Sequence, residues 1–420
     1  MTDKKFPKVL IIVKNRINQV DGPSAALRNW FYEWPKENLA QIYSYQGVIA
    51  EKFCGNNYLF GGHDKLFGWF FDRLKYSKFG INIESKKNNF LIESGIWELF
   101  FPPRISYELA QWVKDFSPEI IYMQGWDISF IKLPLKLQKI FKIPICLHMT
   151  DDWPLVLYLN SKISAVTRFA LQHNFRELIK HSSIRFSVSE LMTQEYKRRY
   201  HVDFETMMVA DETQRFFKAA PKDAINSGVF SIIYTGGLGA GRWQSILDLY
   251  NAIKDLDLNG KKFALNLFSF RVPIEIKKEL LDKPGIYFFD LPSHEELPSV
   301  LKSADLLFLP ESFDKELFSL LHLSISTKAH LYMMSERPIL AYGPAYAGVV
   351  DYAKKSGWAY VVEKRDENLL RDAVIKLLDD KKICEDLIER GRKTVATNHD
   401  ATLVRENFRV RLVNAINENI

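Results

Sequence analysis

Two short stretches of this 420-residue chain hold the residue types that bind phosphate. The first, Gly236-Gly-Leu-Gly-Ala-Gly-Arg242, sets glycines beside an arginine. Glycine lets a ligand approach the backbone closely, and an arginine can grip two phosphate oxygens at once. The second is Ser324-Ile-Ser-Thr-Lys-Ala-His-Leu-Tyr-Met-Met-Ser-Glu-Arg-Pro-Ile-Leu-Ala-Tyr-Gly-Pro344. Ser326 and Thr327 suit a helix start, where free N–H groups, the positive helix end and Lys328 can converge on one anion. A third cluster, His148-Met-Thr-Asp-Asp152, gathers an imidazole and two carboxylates, the groups of acid–base chemistry on hydroxyls. Each has a plainer alternative: a tight strand-helix turn with a surface arginine, one more turn-helix-strand repeat, and carboxylates that cap the next helix.

These stretches need elements to hold them. Residues 230–235 read as a buried strand, and a helix over 243–254 follows the glycines. Strand, glycine-rich turn and helix is the order a phosphate site needs. The turn is neither the G-x-G-x-x-G dinucleotide pattern nor a Walker loop. Around Lys328 the sequence gives a short helix over 329–334, halted where Pro338 biases Arg337 away from helix, then a strand over 339–342. In the first half, a strand over 9–13 leads through Asp21-Gly22-Pro23-Ser24 to a helix over 25–34, with Gly22 and Ser24 as ligand-facing candidates. A strand over 117–123 ends in Gln124-Gly-Trp-Asp127, at the carboxyl end where open α/β sheets place ligands. The strand over 144–148 delivers His148, Asp151 and Asp152 in the same way. Further strands over 184–188, 263–268, 285–289, 305–310 and 358–362 alternate with helices, and the 305–310 strand ends at Glu311.

The length favours two domains, and the composition is globular, with 47% hydrophobic and 26% charged residues. Cys54, Cys146 and Cys384 lack paired spacing, which argues against a disulfide framework or a zinc site and suits a reducing compartment. No signal peptide or membrane-spanning apolar run is evident, so a cytoplasmic protein is expected. Residues 1–200 carry 28 Lys+Arg against 19 Asp+Glu, a net +9, while the remainder nets −3. A basic first half points to an anionic partner. Its 64–101 block interleaves Trp69, Phe70, Phe71, Lys86, Lys87, Trp97 and Phe100, which suits either an anionic membrane surface or an ordinary core with a solvated face. No nucleic-acid-binding motif accompanies it, so none is expected as partner.

The 324–344 stretch resembles the "S/P-T-K-x-x-E-Y-x-A-S-G-R-P-I-L-A-x-G-P" segment of family-4-like glycosyltransferases. Ser326, Thr327, Lys328, Tyr332, Ser335, Arg337 and Pro338 through Pro344 (except Tyr342) carry the match. Residues 234–242 resemble the family's "Y-x-G-x-L-G-x-G-R" loop, and 148–154 its "H-x-x-D-D-W-P" segment at the acceptor side. Leu331 stands where the family has a glutamate that commonly holds the donor ribose, and Glu336 where it has glycine. The family's other glutamate position falls on Leu323, leaving Glu311, Asp314 or Glu316 as substitutes, Glu311 first.

The resemblance implies a GT-B fold: α/β, with two doubly wound Rossmann-like domains facing a cleft. Residues 1–205 would form the acceptor-side domain and 229–395 the sugar-nucleotide domain, with 396–420 a helix packing back on the first. It implies a retaining glycosyltransferase that moves a sugar from a nucleotide-sugar to a saccharide or lipid-linked saccharide in surface-polysaccharide assembly. Gly22, Gly236, Gly237, Gly239, Arg242, Ser326, Thr327, Lys328 and Tyr332 would bind the donor, and His148, Asp151, Asp152 and Glu311 would serve catalysis. No cofactor or metal is expected, because arginine and lysine can neutralise the leaving diphosphate. Docking on the inner face of the plasma membrane is the further expectation. The alternatives are an epimerase-like or degenerate GT-B protein, and a two-lobed sugar-binding protein without chemistry.

Overall fold

The computed structural model describes residues 5–17, 22–44, 53–65, 95–158, 164–221, 229–256, 262–270 and 272–419. Two compact units form, Met1–Met208 with Arg405–Ile420, and Val209–Val404. The dividing points thus fall at 208/209 and 404/405, and the stretch 209–228 groups with the second unit. Most of the aromatic and basic 64–101 block, including Trp69, Phe70, Phe71, Lys86 and Lys87, lies outside the described residues.

The first unit is built on a seven-stranded parallel sheet. Its strands are β1 (Val9–Ile12), β2 (Leu39–Tyr43), β3 (Asn56–Leu59), β4 (Ile120–Met123), β5 (Ile145–Met149), β6 (Ile184–Ser187) and β7 (Glu205–Thr206), in the order β3-β2-β1-β4-β5-β6-β7. The second unit holds a six-stranded parallel sheet of β8 (Val229–Thr235), β9 (Lys262–Phe268), β10 (Ile286–Phe289), β11 (Leu306–Pro310), β12 (Ile339–Tyr342) and β13 (Tyr360–Val362), ordered β10-β9-β8-β11-β12-β13.

Continuous apolar runs such as Val9–Ile12 and Leu306–Pro310 are buried along their whole length, as strands covered by helices on both faces must be. In the second unit the period of two sorts side chains into two layers. Ile233, Leu307, Leu309, Ile339 and Ala341 pack on one face of the sheet, and Ile232, Tyr234, Leu306, Phe308, Leu340 and Tyr342 on the other. In each sheet the strand order reverses at one place, between β1 and β4 and between β8 and β11. Such switch points open a crevice at the carboxyl ends of the strands.

Candidate active site

At the switch point of the second sheet, β8 runs straight into the glycine turn. Gly236 has φ +128°, and a Cβ there would collide with the Lys328 side chain, which crosses the turn. The Lys328 ammonium lies 5.5 Å from the centre of the Tyr234 ring, and the Tyr234 hydroxyl donates to the Gly237 carbonyl at 2.5 Å. Beside Gly237 and Gly239 the positions of a Cβ are empty to 4 Å, so the turn leaves room above its backbone. Gly241, at φ +71°, fits against the Ser312 hydroxyl and starts the helix Arg242–Ile253.

Arg242, the first residue of that helix, meets Glu311 at the end of β11. Its Nε and a terminal nitrogen lie 3.1 and 3.0 Å from Oε2. Glu311 is 3% exposed, and its backbone is tied to Tyr342 O at 2.7 Å and to the Ser245 hydroxyl at 2.7 Å. The carboxylate therefore aims the guanidinium and has little surface left to touch a sugar. Burial and the nearby Arg242 charge push the Lys328 pKa down to about 8, against the opposing pull of Glu311. Burial would also lower Arg242, but Glu311 outweighs it and holds that pKa up. Two cations forced together beside open backbone form an electrostatic trap for an anion.

Tyr332 stands below this site. It is fully buried, and its hydroxyl accepts the Thr235 N–H at 2.9 Å, propping the end of β8 and leaving no surface for a donor. Half-buried Ser326 and exposed Thr327 precede the helix Lys328–Met334, and the Thr327 side chain caps none of its N–H groups. Leu331 packs against the core. Among the described residues, no group of three or more His, Cys, Asp or Glu is placed to hold a metal ion.

The expected histidine and aspartates lie in the first unit. His148 points from β5 into a fully buried aromatic box, 4.2 Å from the Trp30 ring. Both its nitrogens are engaged, Nδ1 with the Tyr122 hydroxyl at 2.9 Å and Nε2 with Met207 O at 3.1 Å. Burial drives its pKa down to about 3, so the imidazole stays neutral. Asp152 is 2% exposed and holds the helix Glu190–Tyr200, through Tyr196 at 2.9 Å and Arg199 at 2.7 Å. Asp151 is half-buried at the same turn, and Gly22 is the first residue of the helix Gly22–Trp30.

What the sequence reading missed lies at the β1/β4 switch point. Asp127 caps the helix Ile128–Phe141 and pairs with Lys14 at 3.1 Å. Glu98 accepts from Tyr158 at 2.8 Å and from Ser129 N at 3.2 Å. Burial, with Asp127 nearby, pushes Glu98 up to about 8. Only the Gln124–Asp127 loop signalled this place; Glu98 sits within the aromatic block and carries no motif.

Between 95% and 97% of the chain is matched by solved structures of similar fold. HepE of Anabaena, in complex with UDP and glucose, matches with a TM-score of 0.66 at 11% identity, covering 97% of this chain and 100% of that one. The fold is GT-B. Sucrose-phosphate synthase of Thermosynechococcus elongatus shares it at a TM-score of 0.63 and 12% identity, covering 95% of this chain and 96% of its own. WaaG, a glycosyltransferase involved in lipopolysaccharide biosynthesis, does so at 0.58 and 11%, covering 96% and 99%. No family model and no curated protein matches the sequence. The GT-B likeness is thus carried by topology, with few shared side chains.

Proposed function

We propose that this chain is a retaining glycosyltransferase that takes a sugar from a nucleoside diphosphate and places it on a saccharide or lipid-linked saccharide in surface-polysaccharide assembly. The observation that carries the proposal is the Lys328–Arg242 pair beside the open Gly237 and Gly239 backbone, at the switch point of the second GT-B sheet. HepE, of the same fold, holds UDP-glucose in one of its solved complexes.

As the glycosidic bond breaks, negative charge builds on the leaving diphosphate. Lys328 and Arg242 would stabilise it, and Glu311 would keep the guanidinium aimed. Gly236, Gly237 and Gly239 would let the phosphates approach, with Ser326 and Thr327 alongside. In a front-face reaction the departing phosphate takes the acceptor proton, so a side-chain base is not demanded. Metal is not required on this scheme, and activity should survive EDTA. The basic first half would hold the enzyme against anionic lipid; flotation with anionic vesicles at low salt, reversed at high salt, tests that.

Incubation with a panel of nucleotide-sugars and an acceptor extract tests the main proposal. Nucleotide release with sugar transfer is expected. Epimer formation alone would indicate an epimerase-like protein, and binding without any product a two-lobed sugar-binding protein.

A further inference from the structure

The Gln124–Asp127 loop is tied down at every residue but one. Gly125 adopts φ +76°, and the Trp153 ring fills the space its Cβ would need. The Trp153 indole N–H donates to Gln124 O at 2.9 Å. Asp127 accepts the Phe130 N–H at 3.0 Å and binds Lys14 at 3.1 Å. Between them Trp126 projects with 41% of its surface exposed, although the apolar ring would gain by burial. The Lys14 ammonium lies 5.6 Å from the centre of that ring. All of this stands at the carboxyl ends of β1 and β4, at the switch point of the first sheet.

We propose that Trp126 and Lys14 form a saccharide subsite, with a neutral pyranose ring stacked on the exposed indole and a ring hydroxyl accepting from the Lys14 ammonium. A pyranose has a C–H face and a rim of hydroxyls, so it needs an apolar plate with a polar group at its edge. An indole supplies the plate, and it arrives prepaid in entropy because the loop is already rigid. A neutral sugar fits better than an anionic one because Asp127 already balances the Lys14 charge. The proposal rests on the glycosyltransferase reading in making this the acceptor subsite, replacing the buried His148 and Asp152.

Saturation-transfer NMR on the full chain tests it without needing turnover. The probes are methyl α-D-glucopyranoside and maltose, with glycerol as a polyol that has no ring face. The wild type should transfer saturation to both sugars, strongest at the ring C–H protons, and not to glycerol. Trp126→Ala should weaken sugar binding about tenfold, the scale of one aromatic contact, and Trp126→Tyr should restore most of it. Lys14→Met should weaken it less. UDP binding, measured in parallel, should be unchanged in all three variants, with melting temperatures confirming folded protein. Equal sugar signals in wild type and Trp126→Ala would overturn the subsite, as would a wild type that binds UDP but neither sugar. Sugar binding without binding of UDP, GDP or ADP would support the subsite and count against the transferase reading alone.

Discussion

Arg242 and Glu311 lock together across the second sheet's switch point, guanidinium to carboxylate, at 3.0 and 3.1 Å. The pair leaves Lys328 as the cation whose charge is adjustable, since its pKa is pushed down to about 8 by burial and by Arg242. An anion binds the protonated form, so affinity should be full below pH 8 and decline as pH rises past it. Calorimetric titration of a nucleoside diphosphate between pH 6.5 and 9.5 would read this decline. In Glu311→Gln, which removes the charge supporting Lys328, the midpoint should move to lower pH. An affinity flat across that range would exclude Lys328 from the site.

Glycine geometry separates two kinds of position. Gly236→Ala should disable donor binding, because its φ is +128° and the new methyl group would displace Lys328. Gly237→Ala meets no atom within 4 Å and should leave the melting temperature unchanged. Glu336 is the converse case, a non-glycine residue at φ +58° with its carboxylate 2.7 Å from Arg392. A left-handed conformation costs an L-residue about 1–2 kcal/mol, against up to about 1 kcal/mol for an exposed ion pair. Glu336→Gly should therefore hold or raise the melting temperature; a clear drop would mean the ion pair outweighs the backbone.

Acid should destabilise both units. His148 in the first, and His330 and His399 in the second, are buried and held neutral, with pKa values pushed down to about 3, about 4 and about 3 by desolvation. Unfolding frees each to take up a proton below its usual 6.5. The unfolded chain then binds more protons than the native one, so stability is full above pH 6.5 and is lost as pH falls towards 4. Each histidine contributes a slope of about 1.4 kcal/mol per pH unit in that window. Denaturant midpoints at pH 7.5, 6 and 5 should fall steeply at the last step. Constant midpoints would mean that these imidazoles become protonated without unfolding.

Most of the parallel architecture was legible, because strands such as Ile120–Met123 and Ile339–Tyr342 are unbroken apolar runs bounded by turns. Strands β2, β3 and β7 were not: Gln41 interrupts the apolar run of Leu39–Tyr43, and Asn56–Leu59 and Glu205–Thr206 lie at sheet edges, partly exposed and polar. The glycine turn and Lys328 could be read because their chemistry is local. His148 could not: a strand end offers two faces, and sequence does not say that this imidazole turns towards Trp30 and away from solvent. Glu98 comes beside Asp127 through a tertiary contact alone, which no spacing in the chain announces.

The donor site can be tested most directly by calorimetric binding of UDP, GDP and ADP to the wild type, Arg242→Ala and Lys328→Ala at pH 7. One nucleotide should bind the wild type, and each substitution should weaken it by about 2 kcal/mol, roughly thirtyfold, as loss of one charge-assisted partner does. Circular dichroism and melting temperature would establish that both variants are folded. Binding of wild-type strength in both, or no nucleotide binding by the wild type, would contradict the assignment of Arg242 and Lys328 to a donor diphosphate.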